Sequence, residues 1–246
     1  MNNNDATIAK MRELRLHGMT ATYKQILETG MNEKYTLDEL LTHLVDAEWF
    51  DRRQRKQERL RKAAGFRYHA TFEELDFTLD RNLDKNQMLR LSNPKWIQQY
   101  KDILITGPTG VGKSFIGSAL GHMACDHGYK VHYQLTGRML AELRETKKSG
   151  TYTKKLSKLY KTDVLILEDF GLNTFDHESR LILLDIMEDR HGRKSTIFLS
   201  QLPVTSWHGI IGDSTIADAI MDRIVYGSYR IELTGDSVRK KKYRDS

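Results

Sequence analysis

The sequence of 246 residues contains a single cysteine, Cys125, so it can form no internal disulfide, and such sparse cysteine fits a reducing compartment. No apolar run approaches the roughly 18 residues that a membrane span requires. The opening residues, Met1-Asn2-Asn3-Asn4-Asp5, have no basic stretch followed by an apolar one, as a secretion signal would, and the expectation is a cytoplasmic protein. There is no internal repeat, no low-complexity tract, no zinc finger and no recognition helix that would read a base sequence. His122, Cys125 and His127 cluster in sequence, but their irregular spacing on a helix that faces a sheet reads as packing rather than metal binding.

What the chain has in excess is positive charge. A formal charge of +6 and an isoelectric point near 9.2 favour a polyanionic partner, although other basic soluble proteins share that balance. Residues 5–64 lack proline, and Ile8, Met11, Leu14 and then Leu37, Leu40, Leu41, Leu44 and Val45 recur at helical spacing. This predicts a small all-helical N-terminal domain over residues 1–65. Thr36-Leu37-Asp38-Glu39 has the form of a capping box that opens its last helix, and Gly65 is a natural stop. Residues 66–93 read as a linker, with Phe72, Leu75 and Phe77 available to pack on the domain that follows, and the second domain is taken as 66–246 with that linker included.

Beyond Pro94 the pattern changes. Short apolar segments rich in β-branched residues, at 103–106, 131–133, 164–167, 196–199 and 229–233, alternate with helical ones. The fold class is therefore α/β, with a parallel sheet covered on both faces by helices.

The octapeptide Gly107-Pro108-Thr109-Gly110-Val111-Gly112-Lys113-Ser114 lies between a predicted strand and a predicted helix, the context in which a P-loop is credible, with Phe115 next on that helix. Glycines let the backbone amides turn toward phosphates, and the following helix points its positive end at them. Lys113 should reach the β and γ phosphates of ATP and the Ser114 hydroxyl should ligate Mg²⁺. A second apolar strand ends in Glu168-Asp169. One carboxylate there can hold the metal and the next can polarise an attacking water. The usual order, Asp then Glu, is reversed, so Glu168 reaches the metal with one extra methylene and Asp169 is one short as a base; slow basal hydrolysis is the expectation. A third apolar strand ends in Ser200-Gln201, of which Gln201 is the better candidate to sense the γ-phosphate.

On these residues the chain resembles the IstB family, ATPases encoded in insertion sequences beside an IstA-type transposase, and more distantly the DnaC helicase loaders and the DnaA initiator, all of the AAA+ class. The P-loop and Leu165-Ile166-Leu167-Glu168-Asp169-Phe170-Gly171 carry the broad likeness; Ser200-Gln201-Leu202-Pro203-Val204, Ile216-Ala217-Asp218-Ala219-Ile220-Met221-Asp222-Arg223 and Ser237-Val238-Arg239-Lys240 carry the narrower one. The resemblance implies an AAA+ ATPase fold and a homo-oligomer with shared nucleotide sites. It also implies that Arg223 is an arginine finger reaching a neighbour's γ-phosphate, that Arg239 is a sensor touching the nucleotide in cis, and that duplex DNA and the transposase are partners. Two basic segments are candidate DNA contacts, Arg52, Arg53, Arg55, Lys56 and Arg59 in the first domain, and Lys147, Lys148, Lys154 and Lys155 in the second, with the tail from Arg239 as a third. Such lysines and arginines would track a backbone rather than read bases. A DnaC-type helicase loader, a small-molecule kinase and an architectural DNA binder with a vestigial nucleotide site are the other readings, and the kinase is disfavoured because the chain offers no separate acceptor lid.

Overall fold

The structure, a computed structural model, describes residues 3–31 and 34–238. It divides into two compact units, Met1–Arg59 and Leu60–Ser246, so the division falls inside a helix rather than at Gly65.

The first unit contains α1 (Asn3–Glu13), α2 (His17–Glu28) and most of α3 (Leu37–Ala64). The capping box at the start of α3 is formed in both directions: the Thr36 amide donates to Glu39 Oε2 (2.9 Å) and the Glu39 amide to Thr36 Oγ1 (3.3 Å). Gly65, with φ 75°, follows the helix in the left-handed conformation that ends it. Helix α2 has no cap of its own. Instead Glu48 of α3 accepts from the Gly18 amide (2.9 Å) and the Met19 amide (3.3 Å), while Arg52 donates to its other oxygen (2.6 Å).

In the second unit the segment read as a linker is partly helical: α4 (Lys85–Leu91) starts at Asp84, whose side chain accepts from the amides of Asn86 and Gln87. A short α5 (Lys95–Gln98) buries Trp96 and Ile97 and leads into the sheet. Then follow β1 (Ile103–Thr106), α6 (Lys113–Asp126), β2 (Val131–Leu135), α7 (Thr136–Lys148), α8 (Tyr152–Tyr160), β3 (Val164–Glu168), α9 (His177–Arg190), β4 (Ser195–Ser200), α10 (Trp207–Ile211), α11 (Ser214–Val225) and β5 (Tyr229–Glu232). Among the described residues the strands form one parallel sheet in the order β2-β3-β4-β1-β5. Every residue of β1, β3 and β4 is buried, which is why these segments read as unbroken apolar runs rather than alternating ones. One face packs α6 and the linker residues Phe66, Phe72, Leu75 and Phe77; the other packs the helices α7 to α11 through Leu143, Phe170, Ile182, Trp207 and Ile220. His122 and Cys125 belong to the first of these layers, His122 stacked on Phe66 at 4.2 Å.

Candidate nucleotide site

The loop after β1 turns in the left-handed region at Gly107 (φ 144°) and Gly112 (φ 103°), immediately before α6 begins at Lys113. A side chain at Gly107 would run into the carbonyl of Leu233, and one at Gly112 into the Arg81 guanidinium, so close approach as well as torsion demands glycine there. Val111 is buried in the core, Pro108 and Thr109 are exposed, and Phe115 packs partly buried at the cavity wall. The amide of Val238, beyond β5, donates to the carbonyl of Gly110 (3.0 Å) and fastens the chain after the last strand onto this loop.

Lys113 is buried, and its Nζ donates to the carbonyls of Gly107 (2.6 Å) and Pro108 (2.7 Å), which curls the loop around the ammonium. Parallel pairing brings the end of β3 beside the loop. Glu168 is only 4% exposed, and its Oε1 accepts from the Ser114 hydroxyl and from Arg67 Nη1 (3.3 Å). Its Oε2 is buried with no hydrogen-bond partner among the described residues. The Thr136 hydroxyl donates to the Glu168 carbonyl (2.9 Å) and fixes the strand end. Asp169 follows with φ 54°, a left-handed torsion that turns the chain out of the sheet. Gln201 joins the parts. It accepts from the Thr109 hydroxyl (2.7 Å) and donates to Asp169 Oδ1 (3.3 Å), whereas the buried Ser200 hydroxyl is spent on the Phe170 carbonyl (2.7 Å).

These groups line a cavity of about 640 Å³ whose outer wall comes from the linker: Tyr68, Glu74, Asp76, Leu79 and Arg81. Arg81, 5% exposed, donates to the Val111 carbonyl (3.1 Å) and the Asp76 carbonyl (2.8 Å), and burial lowers its pKa. It ties the linker to the P-loop and was missed in the sequence, where only the apolar flank of Phe77, Leu79 and Leu83 hinted at a buried arginine.

Arg223 does not line this cavity. It lies near the strand starts, the opposite edge of the sheet: its carbonyl meets His191 Nδ1 (3.2 Å) shortly before β4 begins, and its guanidinium donates to the Ala219 carbonyl (2.7 Å) and Glu188 Oε1 (3.0 Å). Arg239 and the tail that follows it lie outside the described residues. Of the basic segments, Arg52 pairs with Glu48, Arg55 with Asp51, Lys148 with Glu145 (2.8 Å), Lys155 with Glu142 (2.5 Å) and Lys147 with Glu178 (3.9 Å), while Arg53 sits over the Trp49 ring (5.2 Å). Lys56, Arg59 and Lys154 are exposed and pair with no carboxylate among the described residues.

A glycine loop between a buried central strand and a helix, with acidic and polar strand ends beside it in a sheet of this order, defines a P-loop protein of the AAA+ class. The fold agrees with that of the AMPPCP-bound DnaA of Aquifex aeolicus, with a TM-score of 0.59 at 20% identity over 74% of this chain and 57% of that one. The chain belongs to the family of IstB-like ATP binding proteins, whose sequence profile matches residues 9–246. It is 39% identical over 240 residues to a protein of Sinorhizobium fredii named as an insertion sequence ATP-binding protein, y4pL, covering 98% of both chains. It is also 39% identical over 210 residues to the protein of Pseudomonas fluorescens named as the ATP-binding protein of insertion sequence IS1162, covering 85% of this chain and 90% of the other. No helix among the described residues is long and apolar enough to cross a membrane.

Proposed function

We propose that this protein is an Mg²⁺-dependent ATPase that assembles on duplex DNA without strong sequence preference, prepares that DNA as a target, and recruits the transposase encoded beside it. The observation that carries the ATPase part is the convergence of Lys113, Ser114, Glu168, Asp169 and Gln201 at one end of the sheet. Lys113 bonds to carbonyls of the loop itself, which supports its ammonium as the group that would meet the β and γ phosphates. The Ser114 hydroxyl and the Glu168 carboxylate are hard oxygen donors, and the buried unpaired Oε2 of Glu168 is the feature a small divalent cation satisfies; these residues fit Mg²⁺ and would hold it. When bound, the metal neutralises phosphate charge. Asp169, held by Gln201, serves as the base, and Gln201 links its position to the loop through Thr109.

Arg223 sits at the edge of the sheet away from its own P-loop, which supports a finger acting in trans on a neighbouring subunit and makes hydrolysis depend on assembly. For DNA, Lys56, Arg59 and Lys154, unpaired among the described residues, are the strongest of the basic candidates, with Arg52, Arg53, Arg55, Lys147, Lys148 and Lys155 as neighbours that acidic or aromatic side chains partly occupy. Arg239 remains a proposed sensor in cis on its likeness to the family alone. The runner-up is a helicase loader of the DnaC type, which shares the core and differs in partner.

The test is duplex-DNA binding by purified protein with ATP, with ADP and without nucleotide, across a salt series and with particle size recorded. Large, sequence-tolerant assemblies that need ATP and dissolve in salt are expected. Nucleotide binding with no DNA association under any condition would remove the reading. Capture of a replicative helicase, and not of the transposase, would favour the loader.

A further inference from the structure

Glu168 stands between two cavities. The second, of about 700 Å³, adjoins the nucleotide site and lies between β2, α7 and α8, and Arg67 and Glu168 line both. The function proposed above draws on its lining only through Lys155, a DNA candidate, and Glu168. Its floor is apolar, built from Met139, Leu143 and Leu159, and its rim is cationic. Glu142 accepts from both Arg138 (3.0 Å) and Lys155 (2.5 Å), one carboxylate against two cations, and the exposed Lys158 pairs with no carboxylate among the described residues. The wall also carries Tyr133, whose buried hydroxyl faces Glu168 and Ser114. An apolar floor beneath donors and positive charge suits a ligand that carries a phosphate group on an organic body.

Arg67 connects the two spaces. Its side chain is 51% exposed and reaches Glu168 at 3.3 Å, a long pair for a guanidinium and carboxylate, and it lies over the Tyr68 ring at 5.6 Å. The Glu168 charge is the main influence that raises the Arg67 pKa, so the guanidinium stays charged throughout. A divalent cation on Ser114 and Glu168 would place two further positive charges beside it, and like charges at such range repel. Being half exposed, the side chain is free to leave without disturbing packing, and the adjoining cavity is a space it already borders.

We propose that Arg67 is shared between two sites: without metal it is the counter-ion of Glu168, and with metal on Glu168 it turns into the adjoining cavity, where with Lys158 it receives a phosphate group. This rests on the Mg²⁺–ATP reading of the P-loop. Linkage then requires reciprocity: a phosphate that holds Arg67 in the second cavity tightens metal binding in the first, by the same factor as metal tightens phosphate binding.

The experiment uses the full chain. ADP binding is measured first with a fluorescent ADP, and its absence would overturn both the nucleotide reading and this one. With ADP saturating, Mn²⁺ affinity is then measured by electron paramagnetic resonance for wild type, Arg67→Gln and Arg67→Lys. The glutamine variant is expected to bind Mn²⁺ about two- to fivefold more tightly than wild type, the worth of a partly exposed ion pair, with the lysine variant close to wild type. Equal or weaker Mn²⁺ binding by Arg67→Gln, while ADP binding is intact, overturns the competition and leaves the nucleotide reading standing. The titration is repeated with inorganic phosphate and with a short oligothymidylate. Wild-type Mn²⁺ affinity is expected to rise with a phosphate-bearing probe, while Arg67→Gln does not respond and Lys158→Glu loses the response. A rise with phosphate alone identifies a free-anion site, and a rise only with the oligonucleotide identifies a nucleic-acid backbone site. No rise with either overturns the second site.

Discussion

The two units are held together by different means. In the second, the central strands are buried at every position and two apolar layers clamp the sheet. In the first, α1 buries no residue, and α3 exposes Leu37, Leu41, Val45 and Trp49, spaced four residues apart along one face, at 51–80%. Beside the buried side chains of Ile26 and Leu44, polar and steric contacts order α2 and α3: Glu48 caps the start of α2, and Gly18 lies so close to the backbone of Ala47 that a side chain would not fit. The contrast matches the tasks proposed for them. Phosphate chemistry needs groups fixed to fractions of an ångström, which a dense core supplies. A helical module that meets large partners needs surface left uncommitted.

The largest effect expected is on chemistry. Lys113→Ala should lower ATP turnover by about a hundredfold or more, whereas Leu41→Ala should leave turnover per assembled subunit unchanged; steady-state ATPase assays at saturating DNA check both. The sharpest break in stability should lie between a sheet residue and an α3 residue. Ile166→Ala should cost about 2–5 kcal/mol in urea unfolding and Leu41→Ala within about 0.5 kcal/mol, and a comparable loss from both would dissolve the distinction between the units. Next comes the polar cap. Burial works to raise the Glu48 pKa, but Arg52 and the Met19 and Gly18 amides outweigh it and hold the carboxyl below its usual 4.5. A lowered folded-state value means the contribution is present above that pH and is lost as pH falls through the folded value, so α2 should loosen in acid below about pH 4.5. Glu48→Gln should cost about 1–3 kcal/mol at neutral pH and remove this acid sensitivity, as followed by amide hydrogen exchange of residues 17–20. The smallest effects concern single surface cations. Replacing Lys56, Arg59 or Lys154 should each reduce the salt slope of DNA binding by about one, and replacing Arg52 or Arg55 by less, because a carboxylate already occupies them.

Much of the frame is written locally and was legible. Unbroken apolar runs marked the strands, the capping box marked the start of α3, and the glycine loop and the acids at 168 and 169 announced themselves by spacing and context. What escaped notice is set by contacts far apart in sequence. Arg81 acquires its place from the Val111 carbonyl, thirty positions on, and Arg67 from Glu168, one hundred and one positions on; neither stands in a periodic segment. The reach of Gln201 to Thr109 across the strand ends is likewise a product of sheet order, since β1 lies next to β4 only once the sheet is assembled. Helix α4 was hidden because about two turns with an aspartate cap look like the loop around them.

The position of β1 has a temporal consequence. Its neighbours, β4 and β5, are both made from later parts of the chain, and the loop that follows it is fastened by Val238. As the polypeptide leaves the ribosome, the glycine loop emerges long before anything can seat it, and its cradle takes shape only after residue 238 has been translated and released from the exit tunnel. A nascent chain that stops short of residue 238 therefore carries the P-loop motif without the strands and the fastening that seat it.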